Sequence, residues 1–519
     1  NQNTMEKYLN DAIIGNKNML ATFSSKGEML RLSYPNHDNR QYLKYFRTGV
    51  KVNDSNIIYL HDDINNTYIQ YYDTDTNILN TEITNTYFNL KIVQTDFVTI
   101  KEDVLVKKYS FINDSNIEQD IKFLIHSELL SDQNNFISGM KLDNGMVQFA
   151  HDFSMATFSK SEKIFSGQIN GISNNIGSGI IGGKDYVGMS KDSGISFDIG
   201  KLPAGHRKDI EICIYIDENK KTMHDFIDEV ERIRKIDFNK ELNDTKAYWR
   251  KYVKEHDGLK IKEPQNSYEE KILNVYKRSI LLFPLLMNEE TGGIIASPEV
   301  DEELSQCGRY AYCWPRDAVF ITQALDILKM NKEADKFYSE FCRITQSKNG
   351  MWEQRFYTDG RLAPCWGYQV DETASVVYGV YNHYEYTKNE EFLKENLHMC
   401  ELAITFLKKY VYDVLENTGK YSVSYDIWEE NDRGIHMYSL ASIFSAFDTM
   451  KKIYKALGKN VSDFENNRLK EEKINKNIKE IDELMLKVKE YIEQNLYDEN
   501  RKSYVRNTED RRIDISLLG

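Results

Sequence analysis

The sequence lacks any long apolar stretch. No window reaches about 18 uninterrupted apolar residues, the length that a membrane-spanning helix needs. The first residues also lack the basic segment followed by an apolar one that marks a signal peptide. Because the chain starts at Asn1 rather than Met, a leader could have been removed before this point. The localisation therefore stays open, with the cytoplasm somewhat favoured over secretion.

Cysteines are few and scattered. They form no CxxC pair and have no spacing typical of a metal site, which argues against a disulfide framework and predicts no metal. The six are Cys213, Cys307, Cys313, Cys342, Cys365 and Cys400.

Basic residues are fewer than acidic ones. The chain has 67 Lys and Arg against 81 Asp and Glu, a formal net charge of −14. Nucleic-acid backbones and anionic membranes are bound by clustered Lys and Arg. The charge balance therefore argues against nucleic acid and against a membrane as the main partner.

The chain is long and rich in tyrosine. A chain of 519 residues is too long for one ordinary hydrophobic core, so two or more domains are expected. The 34 Tyr residues offer flat apolar faces with a polar edge, which suits sugars and other amphipathic ligands. A coding bias that raises Tyr together with Asn, Lys and Ile accounts for part of this richness.

Residues 1–216 carry a strand pattern. Their apolar residues come in short, often alternating runs separated by turn-forming Asn, Asp and Gly, as at 56–60, 97–100 and 210–215. Many short strands without helices between them predict an antiparallel β-sandwich. Catalytic residue types are not concentrated in this half.

Residues 217–264 predict a helical linker, and 265–519 predict a helical domain. Some of the later helices are apolar nearly all round, whereas others have one polar face. An inner ring of buried helices wrapped by an outer ring of one-sided helices satisfies both patterns, so we predict an α/α toroid. The inner helices are 318–328, 374–384 and 440–457, and the outer helices are 332–346, 390–410 and 468–496.

Loops rich in aromatic and charged residues precede the three inner helices, at 308–317, 366–372 and 425–431. In a toroid such loops converge on one end of the axis and can form a pocket. In the first loop, Arg316 can donate to sugar hydroxyls and Asp317 can accept from them. The alternative for this pair is a salt bridge at a helix start, and for Trp366-Gly367 it is a packed turn.

The third loop places Asp426, Glu429 and Glu430 around Trp428. A carboxyl group beside an indole in a partly dry pocket has its ionised form disfavoured, so it can stay protonated near neutrality and donate a proton. The alternative is that Trp428 fills the core and the acids only cap the next helix.

Together these motifs resemble the glucoamylase family of glycoside hydrolases, family 15, in its bacterial form with an N-terminal β-sandwich joined to an (α/α)6 barrel. The likeness runs from end to end of the chain, and Trp314-Pro315-Arg316-Asp317 together with Trp428-Glu429-Glu430 is specific. The motifs that carry it are 12–16, 34–35, 291–299, 310–317, 366–372 and 427–430.

The resemblance implies exo-acting hydrolysis of α-glucosidic bonds, releasing glucose from non-reducing ends with inversion. By position, Glu429 is similar to the family's general acid. Arg316 and Asp317 match the pair that holds the terminal glucose. The further substrate-binding residues that it implies are Tyr310, Trp314, Trp366, Trp428 and Glu430. No metal or organic cofactor is implied.

Two alternatives stay open. A glycan-binding or regulatory homologue could keep the pocket without the reaction, because a fold does not guarantee chemistry. A member of the same family could instead act on α-1,6-glucan or on trehalose.

The final expectation concerns the last part of the barrel. A six-hairpin toroid needs twelve helices, and we count seven from Ser267 with the start of an eighth at 513–519. The family's general base lies before its last inner helix, so we assign no base in this chain. We expect an incomplete toroid whose partner is the remaining part of the barrel, and whose exposed apolar faces favour aggregation.

Overall fold

The computed structural model describes residues 10–130, 137–174, 176–182, 187–189, 191–298, 311–365, 367, 369–416, 434–458 and 467–513. Contacts between Cα atoms divide the chain into two compact units, residues 1–286 with 298–309 and residues 287–297 with 310–519. None of the helices in the described part is long and apolar enough to cross a membrane.

The described residues of the first unit form three antiparallel sheets. The small sheet has the order β1-β2-β3, from Ala12–Gly15, Leu20–Phe23 and Met29–Ser33. The five-stranded sheet has the order β14-β16-β10-β4-β5, and the nine-stranded sheet has the order β15-β11-β12-β13-β17-β9-β8-β7-β6. Their strands are β4 Leu43–Val52, β5 Ile58–Tyr59, β6 Asn66–Tyr72, β7 Leu79–Asn85, β8 Leu90–Val98, β9 Leu105–Asn113, β10 Gln119–Leu129, β11 Ser138–Lys141, β12 Gly145–Phe149, β13 Ser154–Ser159, β14 Ser166–Ile169, β15 Val187–Met189, β16 Asp192–Leu202 and β17 Arg207–Asp217.

The two large sheets face each other across one core. Alternating apolar residues such as those of β8 point inward, because successive side chains on a strand lie on opposite faces. Phe123 on the five-stranded sheet packs on Tyr109 and Phe111 of the nine-stranded sheet, with ring centroids 4.6 and 5.5 Å away. The sequence-predicted antiparallel sandwich is confirmed.

Three helices pack in the same unit, α1 Met223–Arg234, α2 Phe238–His256 and α3 Ser267–Leu286. The side chain of Thr222 accepts from the Asp225 amide and starts α1, whose apolar stripe packs on the nine-stranded sheet. The sequence pattern predicts α3 as part of the helical domain, but its contacts place it with the sheets. The three predicted domain boundaries stay a prediction.

The described part of the second unit is helical apart from a short hairpin, β18 Tyr497–Asp498 with β19 Ser503–Tyr504. Buried residues lie on most sides of α7 but mainly along one stripe of α10, as the sequence pattern predicted. A π-helical turn, Phe337–Cys342, lies between α5 and α6. The helices are α4 Pro315–Ile327, α5 Asn331–Lys336, α6 Arg343–Thr345, α7 Val370–Thr387, α8 Glu390–Glu416, α9 Met437–Leu457 and α10 Asn467–Asn495.

Candidate active site

The site is built where α4 and α7 begin side by side. Trp314 precedes α4 in an extended conformation and makes no side-chain cap, while Pro315 occupies the first turn, where its missing N–H is not needed. The amide of Arg316 instead donates to Glu372 Oε2 of α7 at 2.6 Å. A carboxyl group from one helix therefore caps the other.

The guanidinium of Arg316 is held by the same end of α7. Its Nη1 donates to Asp371 Oδ2 at 2.9 Å and to Gln369 Oε1, and it lies 3.5 Å from Glu372 Oε1. Its Nη2 has Asp317 Oδ2 at 3.9 Å, too far for a hydrogen bond. Arg316, Asp371 and Glu372 are buried, whereas the Asp317 side chain is 44% exposed.

The cluster holds one cation among three carboxyl groups. Burial raises the pKa of Glu372 well above its usual range, and the charge of Asp371 raises it further. Burial also raises the pKa of Asp317. Burial by itself would lower the pKa of Arg316, but Glu372, Asp371 and Asp317 raise it overall. Burial thus favours the neutral form of Glu372, which the charge of Arg316 opposes, and Arg316 stays charged.

A third helix, α9, also begins in this region. The pKa of Tyr438 is raised by burial and by the charge of Asp371, while Arg316 acts in the opposite direction. These electrostatic effects require Tyr438 to lie near the cluster. The three predicted inner helices therefore begin around one set of charges.

Several buried polar atoms here have no hydrogen-bond partner among the described residues. They are Gln369 Nε2, Asp371 Oδ1, Glu372 Oε1, and Ser439 Oγ at the start of α9. Buried polar groups in proteins are nearly always paired, and exceptions concentrate where water or a ligand binds. This end of the helices is suited to a polyhydroxylated ligand.

An aromatic cluster lies beside the charges. Tyr312 and Trp314 are buried with Ala363, and the Tyr357 ring meets Tyr312 edge-on at 5.5 Å. The Arg355 guanidinium lies 4.5 Å from the Tyr312 ring centroid and 5.5 Å from that of Trp314. Trp314 thus packs inside this cluster, next to Arg316 in the chain.

The structure places three of the predicted site residues, Trp314, Arg316 and Asp317, at the start of α4. The other five, Tyr310, Trp366, Trp428, Glu429 and Glu430, lie outside the described residues.

Several residues of the site are not predicted from the sequence. Gln369, Asp371 and Glu372 belong to the motif at 366–372, but nothing in the sequence shows that they hold Arg316. Buried polar residues at the start of an apolar helix were the available signal. Tyr438 carries no comparable signal in the sequence.

Residues 270–519 match the sequence profile of the family described as glycosyl hydrolases family 15. This part of the chain belongs to that family. The family 15 segment contains the whole Arg316 cluster, and the sequence-predicted resemblance is confirmed.

Two curated relatives match different shares of the chain. An uncharacterized glycosyl hydrolase of Methanocaldococcus jannaschii is 26% identical over 524 residues, covering 98% of this chain and 77% of that protein. A trehalase of Mycolicibacterium smegmatis is 25% identical over 173 residues, 31% of this chain and 25% of that enzyme.

Solved structures share the fold. A bacterial glucoamylase complexed with acarbose superposes with a TM-score of 0.72 at 15% identity, covering 98% of this chain and 71% of that one. A family GH92 α-mannosidase of Bacteroides thetaiotaomicron gives a TM-score of 0.51 at 13% identity, covering 98% and 65%. The antiparallel first unit and the helical second unit thus follow the glucoamylase fold.

Proposed function

We propose that this glycoside hydrolase is an inverting, exo-acting enzyme that releases glucose from the non-reducing ends of α-glucans or α-glucooligosaccharides. The observation that carries the proposal is the buried Arg316 with the half-exposed Asp317 beside it, within the family 15 segment. The glucoamylase fold supports it.

Arg316 and Asp317 act in substrate recognition. Arg316 Nη1 is engaged by protein groups, so Nη2 is the nitrogen that donates to a sugar hydroxyl. Asp317, with its exposed carboxyl group, accepts from a neighbouring hydroxyl. Tyr310, Trp314, Trp366, Trp428 and Glu430 complete the proposed sugar-binding residues.

Glu429 is the proposed general acid. It protonates the leaving glycosidic oxygen while a carboxylate base on the opposite side activates water, which attacks the anomeric carbon with inversion. The two carboxyl groups of such enzymes are about 6.5 to 9.5 Å apart, which leaves room for the water. The base is not assigned within this chain.

We further propose that the second unit forms part of an (α/α)6 toroid. In it α4, α7 and α9 are inner helices, and α8 and α10 are outer ones. Buried charged groups at the starts of α4 and α7 fit this arrangement, since the starts of inner helices would line one end of the axis.

The test measures the sugar released from maltotriose by the full-length protein, using proton NMR to identify the anomer. We expect β-glucose first, and we expect Glu429→Gln to lower turnover by about 10²- to 10⁴-fold. Glu499→Gln, at an exposed position, is the matched control. Normal turnover by folded Glu429→Gln would refute the assignment.

A panel of substrates addresses the linkage. The trehalase relative justifies including trehalose beside maltotriose and an α-1,6-glucan. Acarbose, present in the glucoamylase complex, serves as a binding probe in calorimetry. Acarbose binding without any hydrolysis would favour a glycan-binding or regulatory homologue.

A further inference from the structure

The start of α4 depends on α7. An α-helix leaves its first N–H groups without internal partners, and a side chain just before the helix usually caps them. Trp314 provides no such cap, and Pro315 has no N–H. Among the described residues, the Arg316 amide is capped by Glu372 alone, which lies 56 positions further along the chain and is fully buried.

The same end of α7 also fixes the Arg316 side chain. Gln369 and Asp371 accept from Nη1, so the backbone and the guanidinium of Arg316 are both bound to one stretch of α7. This leaves the guanidinium one orientation, with Nη2 on the side of the half-exposed Asp317. A donor fixed before binding avoids the ordering cost that a mobile arginine would add.

We propose that Glu372 is a positioning residue of the sugar site: by capping α4 from α7, it sets the place of Arg316 relative to Asp317. This rests on the proposed function, because it assigns Arg316 to sugar binding. Glu372 is sealed from solvent and acts through Arg316 rather than on the ligand.

The neutral form of Glu372, which its burial favours, suits this role. The groups that face it are Arg316 and Asp317 from α4, Asp371 beside it on α7, and Tyr438 from α9. With Asp371 balancing Arg316, a second buried negative charge would be uncompensated. A neutral carboxyl group still accepts the amide hydrogen bond, so glutamine should replace it.

The experiment compares Glu372→Met, which removes the acceptor at similar size, with Glu372→Gln, which keeps it. Amide hydrogen exchange at Arg316 reports the cap without any substrate. Acarbose affinity and kcat/KM on the substrate that the wild type cleaves report the site. We expect faster exchange and a loss of about 100-fold in kcat/KM for Glu372→Met, since small displacements of binding groups have effects of this size.

Glu372→Gln should restore both readouts. If Glu372→Met lowers only the melting temperature and leaves acarbose affinity and kcat/KM unchanged, Glu372 is a structural cap and the proposal is wrong. Should Glu372→Met fail to fold, Gln369→Leu removes one of the two acceptors of Nη1 while leaving Asp371 and the cap in place, and unchanged acarbose affinity in that variant overturns the positioning by α7.

Failure of the proposed function gives a different result. In that case the wild type neither binds acarbose nor cleaves any α-glucoside, and the positioning role in sugar binding falls with it. Exchange at Arg316 would still respond to Glu372→Met, which separates a missing sugar site from a missing cap.

Discussion

Arg316 can serve both in a salt bridge at a helix start and in sugar binding, two roles that the sequence pattern offers as alternatives. It makes ion-pairing contacts at the start of a helix, yet its Nη2 makes no hydrogen bond within the described residues. A structural bridge would be expected to use both nitrogens when carboxylates are so close. Nη2, which lies on the side of Asp317, is therefore the part of Arg316 that ligand binding would use.

Arg316→Lys keeps the charge but cannot contact α7 and a sugar in the same way, because an ammonium lacks the planar fork. We expect a loss of about 2 to 4 kcal/mol in transition-state stabilisation from the unpaired polar groups left behind. Steady-state kinetics of the full-length protein measures it. Arg361→Lys, at an exposed Arg paired with Asp359, is the control. A lower melting temperature with unchanged kcat/KM would show that Arg316 is only structural.

The sequence could indicate which residues matter here but not their contacts. Trp314, Arg316 and Asp317 stood out because charged and aromatic residues preceded an apolar helix. The hydrogen bond from the Arg316 amide to Glu372 joins residues 56 positions apart, and no local pattern encodes such a pair.

At the scale of elements, the periodicity of apolar residues predicted the helices well. The helix predicted at 318–328 corresponds to α4, Pro315–Ile327. The helix predicted at 440–457 corresponds to α9, Met437–Leu457. The burial stripe of a helix repeats every 3.6 residues, so it survives in sequence. The π-helical turn Phe337–Cys342 was not predicted, because one extra residue per turn leaves no comparable signature.

That turn packs closely on α7. A Cβ at Gly379 would overlap the hydroxyl of Tyr338, which is fully buried and lies 2.8 Å from Thr322 Oγ1 of α4. Gly379→Ala should therefore destabilise the protein by about 1 to 3 kcal/mol through overpacking. Urea unfolding measures it. Gly458→Ala is the control, since nothing lies within 4 Å of its added Cβ. Equal stability of the two variants would contradict this packing.

Another buried cluster joins α4, α5 and α7. His383 Nδ1 lies 2.8 Å from Asp326 Oδ1, and Nε2 contacts Asp335. Burial alone would lower the pKa of His383, but its hydrogen bonds to both carboxylates raise it to about 9. The rings of Tyr338 and Phe392 enclose the imidazole. A charged His383 thus connects three helices.

This cluster should make stability depend on pH. A folded-state pKa of about 9 against 6.5 unfolded means that the contribution is complete below pH 6.5 and is lost as the pH rises through 9. It amounts to roughly 3 kcal/mol. Melting temperatures from pH 6 to 10 should therefore fall more for the wild type than for His383→Gln. His224→Gln, at an exposed histidine, should follow the wild type. Parallel curves for the wild type and His383→Gln would refute this coupling.

At the scale of the whole molecule, the family boundary and the packing boundary differ. The family 15 segment begins at residue 270, inside α3, whereas α3 packs with the sheets. Sequence composition changes near Pro264, and that change located the start of the helical half. It could not show which side α3 joins, because an amphipathic stripe indicates a buried face but not its partner.

Hydrogen bonds from α3 to the turn between β6 and β7 explain why α3 packs with the sheets. Arg278 donates to the Thr76 carbonyl at 2.7 Å and to Asn77 Oδ1 at 2.8 Å, and its guanidinium lies 3.6 Å from the Tyr72 ring centroid. Asn77 Nδ2 in turn donates to the Leu281 carbonyl at 3.0 Å. The turn between β6 and β7 is thus bound to α3 from both directions.

We therefore expect a fragment of residues 10–286 to unfold at a higher urea concentration than a fragment of residues 10–264, which lacks α3.

Arg278→Met in the longer fragment keeps an apolar stem but removes the donors that the Thr76 carbonyl and Asn77 use. It should cost about 1 to 3 kcal/mol, the range for lost hydrogen bonds to a charged group. Lys271→Met, on an exposed part of α3, is the matched control and should change little. Equal urea midpoints for the two fragments would show that α3 adds nothing to the stability of the sheets. An unchanged midpoint for Arg278→Met alone would instead assign the stabilisation to the apolar residues of α3.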